Sequence, residues 1–154
     1  LTPVIAVKLS HQVGQLQSIL AEIDKAGMNI EYMYALATGN NDASIVLKIT
    51  YDDISFLLTG DAGIYVEKMM IENVDVKATV LKVGHHGSNT SSSQKFFEAV
   101  QPEMAVLSYG QDNKYGHPHY EVTSGLQQLG SEIYGTADKA QLVNPKGEIV
   151  SEFE

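Results

Sequence analysis

Beyond Phe56 the chain repeats one pattern three times: an apolar run, a short glycine-bearing loop, then apolar residues at helical spacing. Phe56 to Thr59 runs into Gly60-Asp61 and a helix around Val66, Met69 and Met70. Thr79 to Val83 runs into Gly84-His85-His86-Gly87-Ser88 and a helix around Phe96, Phe97 and Val100. Met104 to Ser108 leads through Tyr109 to Tyr115 and Gly116-His117-Pro118-His119 into a helix around Val122, Leu126 and Leu129. Such repetition implies parallel neighbouring strands with helices on the faces of the sheet. The loops that follow the C-terminal ends of those strands then share one edge, where ligands bind. Asp61, His85 and His117 each fall in such a loop, so metal-type ligands far apart in sequence are predicted on one rim.

The flanking segments are consistent with a mixed α/β (α+β) architecture. Val4 to Leu9 reads as a short buried strand and His11 to Gly14 as a turn. Leu16, Ile19, Leu20 and Ile23 follow at helical spacing, with Gly27 as a left-handed cap. Asn29 to Ala37 is predicted as a strand with Ile30, Tyr32, Tyr34 and Leu36 on one face. The cluster Thr38 to Asp42 is a turn into a second alternating strand, Ile45, Leu47, Ile49 and Tyr51. Asp52-Asp53 closes a hairpin with Ile54 to Thr59. Strands near Ile133, Leu142 and Ile149 finish the chain, with a turn at Pro145-Lys146-Gly147.

A length of 154 residues suits one compact domain or two very small ones, and 44% hydrophobic content is enough for a core. A net charge of -9 with only ten Lys and Arg disfavours non-specific binding to nucleic acid. It leaves room for a phosphodiester or nucleic-acid substrate bridged by a metal, because a bound cation outweighs the local protein charge. With no cysteine, disulfides and thiolate sites are excluded. No apolar run reaches the roughly 18 residues of a membrane span, and no secretory signal is visible. The first residue is Leu1, which points to a trimmed or engineered chain.

A carboxylate and several imidazoles on one edge suit a divalent metal, zinc or manganese, which lowers the pKa of bound water to about 7. The candidate ligands are Asp61, His85, His86, His117 and His119. His85 is favoured within its pair because it comes first after the strand, and His117 and His119 are ligands or substrate-contacting groups. Ser88 and Asn89 are candidate donors to an anionic substrate. Simpler roles exist for several of these. Asp61 could cap a helix, and His117 and His119 could be surface loop residues. Tyr32, Tyr34 and Tyr51 suit sheet packing better than base stacking, and Met69-Met70 suit core filling.

Three stretches together resemble consecutive motifs of the metallo-β-lactamase-like domain of competence DNA-uptake channel proteins (ComEC type). They are Phe56-Leu57-Leu58-Thr59-Gly60-Asp61-Ala62, Leu81-Lys82-Val83-Gly84-His85-His86-Gly87-Ser88-Asn89 and Lys114-Tyr115-Gly116-His117-Pro118-His119. The resemblance covers about Asn41 to Glu154 and implies half of an αββα sandwich, metal-dependent hydrolysis and a phosphodiester substrate. It also makes Asp61 the bridging carboxylate. The family's H-x-H-x-D-H motif is absent, so weak or no catalysis is expected from this chain alone. The segment Val4 to Ile49 resembles the first β-α-β-β portion of an ACT domain, a ferredoxin-like module that binds amino acids at dimer interfaces. It is carried by Val4 to Leu9, Gly14-Gln15-Leu16 and Ala26 to Ala35. The expected division is therefore an ACT-like segment over 1–42 and a metallo-β-lactamase-like half over 43–154, joined as one unit. This pairing makes a recombined chain one hypothesis, an amino-acid-binding or oligomerisation module another, and a homodimer through an exposed edge strand an expectation.

Overall fold

The computed structural model describes residues 15–37, 43–137, 140–143 and 149–153. In chain order these form α1 (Gln15–Lys25), β1 (Asn29–Ala37), β2 (Ala43–Tyr51), β3 (Ile54–Leu58), α2 (Ile64–Asn73), β4 (Val80–Lys82) and a 3-10 turn at Gly84–Gly87. They continue as α3 (Gln94–Val100), β5 (Met104–Leu107), α4 (Tyr120–Gln128), β6 (Glu132–Gly135), β7 (Ala140–Val143) and β8 (Ile149–Phe153). The predicted strand at Val4 to Leu9 and the predicted turns at His11 to Gly14, Thr38 to Asp42 and Pro145 to Gly147 lie outside the described residues.

One six-stranded sheet runs in the order β1-β2-β3-β4-β5-β6, and β7 and β8 pair as a separate antiparallel hairpin. β1 pairs with β2 and β2 with β3 in antiparallel fashion, while β3 through β6 are parallel. The sheet is therefore mixed, and the repeated strand-loop-helix pattern produced its parallel part. Gly27 ends α1 with φ 69°, and Asp52 takes φ 49° in the hairpin turn, as the sequence suggested. One expectation is corrected. Ile30 pairs with Ile49 but Tyr32 pairs with Lys48, so a bulge at Glu31 puts Ile30 and Tyr32 on opposite faces.

Leu57, Leu81, Ala105 and Ile133 stand in register across four strands. The first three are fully buried under the helices, alongside Met70, Phe96, Phe97, Val100, Val122 and Leu126. Helix α2 packs on α3 and α3 on α4, so all three crossover helices cover the same face. The α3-α4 approach is close enough that a Cβ at Gly125 would sit 3.2 Å from the Phe97 ring. This core fixes the positions of the strand ends, from which the loops depart.

Candidate metal centre

The loops after β3, β4 and β5 meet at one edge of the sheet. Gly60 turns with φ 55°, and a Cβ there would lie 3.0 Å from the Ile45 carbonyl oxygen, so the loop carrying Asp61 has no room for a side chain at that position. The His85 amide donates to the Gly60 carbonyl at 3.0 Å and ties the Asp61 loop to the histidine loop. Thr59, buried, donates its hydroxyl to the Lys82 carbonyl at 3.0 Å from the same side. Helix α2 is capped by Gly63 and not by a side chain, so Asp61 is not a helix cap. Its carboxylate is exposed and acts electrostatically on the Lys82 ammonium, whose pKa burial pulls down and Asp61 pushes back up.

The histidine loop is strained. His85 and His86 both take left-handed backbone, with φ 45° and 58°, immediately before Gly87 at φ 82°. Consecutive non-glycine residues in this region are rare and cost about 1–3 kcal/mol each, so the surrounding packing must enforce them. Gly87 shows how: a Cβ there would lie 2.6 Å from Pro118 Cβ and 2.8 Å from Leu107 Cδ2. The loop after β5 presses directly on it, with the His119 amide donating to the Gly87 carbonyl at 2.9 Å. Asn113 shapes that loop by donating to the Gly110 and His117 carbonyls (2.9 and 2.7 Å) and accepting from the His117 amide at 2.9 Å.

The result is a histidine cluster. Ring centroids are 6.3 Å apart for His85–His86, 5.8 Å for His85–His117, 6.4 Å for His86–His117 and 5.0 Å for His117–His119. Tyr115 stacks on His117 at 5.7 Å. Each imidazole except His117 is held through Nδ1: His85 by the Thr90 hydroxyl at 3.2 Å, His86 by the Ser108 carbonyl at 2.6 Å and His119 by the Asn89 amide at 3.2 Å. Partial burial, then the neighbouring His119, His85 and His86, push the His117 pKa below its ordinary value. Neutral imidazoles are the form a metal binds.

The donor set suits a divalent ion in kind. Two imidazoles sharing an ion at ~2.1 Å in tetrahedral geometry have centroids roughly 5 Å apart, close to the separations here. Among the described residues, no three His, Asp or Glu side chains converge closely enough to chelate one ion. Ser88 is buried and spends its hydroxyl on Thr90 at 2.9 Å, while Asn89 contributes its backbone amide.

Sequence reasoning missed several groups here. Thr90, Ser108 and Asn113 orient the histidines, and Glu67 is a buried carboxylate that accepts from the Ser92 and Ser93 amides at the start of α3. Burial raises the Glu67 pKa against the lowering effect of those bonds.

No family model matches the chain. Over 98 residues it is 42% identical to ComE operon protein 3 of Bacillus subtilis, which covers 62% of this chain and 12% of that protein. It is 37% identical over 103 residues to Recombination protein 2 of Haemophilus influenzae, covering 67% of this chain and 13% of the relative. It is 35% identical over 115 residues to Competence protein ComA of Neisseria gonorrhoeae, covering 71% of this chain and 17% of the relative. The chain thus matches under a fifth of the length of each of these curated relatives.

Proposed function

We propose that this chain is a metal-binding domain of hydrolase descent that serves DNA uptake, with zinc or manganese held at the rim by Asp61 and histidines of the cluster. The observation that carries this reading is the set of histidine rings brought together from two distant loops, two of them in strained backbone. Strain of that kind persists only where the surrounding fold enforces it, and it concentrates at functional sites. The relatives' names, with their reference to competence and recombination, support a nucleic-acid context.

His86 is the best oriented ligand. Its Nδ1 faces a carbonyl, which leaves Nε2 free to bind, the arrangement usual for metal-bound histidine. His85 and His117 lie beside it, and Asp61 supplies the carboxylate. A bound ion would lower the pKa of a water ligand toward neutrality. The chain's own residues would orient the donors and hold an anionic substrate nearby. Without an H-x-H-x-D-H segment, this chain by itself is expected to bind metal and to hydrolyse phosphodiesters weakly or not at all.

Metal content after loading and desalting tests this directly. Roughly one equivalent in the native chain and none in Asp61→Ala or His86→Ala is the expected outcome. Equal metal in all of them would remove the basis for the proposal. In the second reading, an amino-acid-binding or oligomerisation module, β1 forms the outer edge of the sheet among the described residues and would pair there with a second copy. Sedimentation distinguishes it, since a monomer at all concentrations argues against that role.

A further inference from the structure

The imidazoles on the rim are not chemically equivalent, and the difference is set by what each Nδ1 faces. A carbonyl can only accept, so the 2.6 Å contact with Ser108 requires a proton on His86 Nδ1. A backbone amide can only donate, so the 3.2 Å contact from Asn89 requires a bare Nδ1 on His119. The neutral His119 ring therefore carries its proton on Nε2, where a metal ligand would need a lone pair. His85 faces the Thr90 hydroxyl, which rotates to serve either tautomer.

We propose that His119 is not a metal ligand but the anion-binding donor of the rim, its Nε2–H directed at a non-bridging oxygen of a bound phosphate group. This deepens the reading given above and rests on it. The backbone makes the assignment robust. The His119 amide is held by the Gly87 carbonyl at 2.9 Å while its ring accepts from Asn89, so two bonds to one short segment fix both position and tautomer. The ring also sits 5.0 Å from His117, placing the donor beside the imidazoles that would hold the ion. A phosphate bridging ion and donor would meet opposite chemistries on its two sides, a cation on one and an N–H on the other. Arg and Lys, the usual phosphate partners, are scarce, with ten in the whole chain, so a neutral imidazole donor fills that role here.

The test combines histidine nitrogen NMR with phosphate binding. In the metal-free chain, at a pH where the imidazoles are neutral, His119 is expected as the Nε2–H tautomer and His86 as the Nδ1–H tautomer. In the zinc-loaded chain, His119→Ala should weaken binding of inorganic phosphate roughly tenfold or more while zinc content stays the same. His119→Gln, whose side-chain amide places an N–H where Nε2–H was, should restore most of that binding. Loss of zinc in His119→Ala, unchanged phosphate binding, or an Nδ1–H tautomer at His119 would each overturn the proposal. If the native chain binds no metal, the metal-centre reading falls on that result, and phosphate binding by the metal-free chain, weakened or unchanged in His119→Ala, then decides this inference.

Discussion

The two ends of the central sheet handle polar groups in opposite ways. At the histidine rim, His85, His86 and His119 are tied to the scaffold through Nδ1, with no partner at Nε2 among the described residues. At the far end, Lys48 is buried to 3% exposure, and its ammonium is spent on the Asp75 carboxylate at 3.0 Å, the Asp75 carbonyl at 3.1 Å and Glu31 at 3.1 Å. That end also carries a cleft of about 310 Å³, lined by Glu31, Asp52, Asp53, Asp75 and Glu103 along with Lys48 and Lys77. A concave, acidic surface is thus not where the prearranged imidazoles are. Groups neutralised by partners stabilise a fold, whereas groups oriented by one bond and left open by another are available for chemistry.

The largest effect is expected from stripping the partners from Lys48. The double variant Glu31→Gln, Asp75→Asn leaves a buried ammonium uncompensated and should cost about 3–5 kcal/mol in urea unfolding. Lys48→Met should cost far less, because the acids left behind are 35% and 77% exposed and regain water. Equal costs would mean the lysine is not buried in solution.

Gly87→Ala attacks the other end. With φ 82° and contacts of 2.6 and 2.8 Å awaiting a Cβ, it should cost about 1–3 kcal/mol and abolish metal binding by separating the two histidine loops. Retained metal affinity would show that the loops need not touch.

A smaller effect is expected at Tyr32, whose buried hydroxyl finds no hydrogen-bond partner among the described residues. Burial, then Asp75 and Glu31, push its pKa up to about 12. A raised folded-state pKa favours the protonated form, so this stability is present below pH ~10 and is lost as pH rises through about 12. Tyr32→Phe should therefore gain up to about 1 kcal/mol at neutral pH and lose less stability between those limits. Thermal unfolding at pH 7 and at high pH measures both.

The smallest effect separates the two ends most sharply. His86→Ala should change stability by less than about 0.5 kcal/mol, because the side chain is exposed, while removing metal binding altogether. A large loss of stability would make His86 a structural residue like Lys48.

The parallel half of the sheet was legible because each strand-loop-helix unit carries its own periodicity and its own glycine, and Asp61, His85 and His117 followed from that spacing. The bulge at Glu31 was not, because only pairing with β2 reveals that Ile30 and Tyr32 turn apart. The sequence ranked His85 above His86 by position after the strand. The left-handed backbone of both residues decides their directions, and the tie from His86 to Ser108 spans 22 residues, beyond what local pattern can show. Lys48 read as one polar position in an alternating strand, since its acidic partners come from β1 and from the segment after α2.

Substoichiometric manganese added to the isotope-labelled chain tests the difference between the ends most directly, because a bound paramagnetic ion broadens nearby amide resonances. Binding at the rim predicts broadening at Asp61, His85, His86 and His117, with Asp52, Asp53, Asp75 and Glu103 left sharp. Broadening centred on the acidic cleft, or on neither end, would contradict the assignment of the metal to the histidine rim.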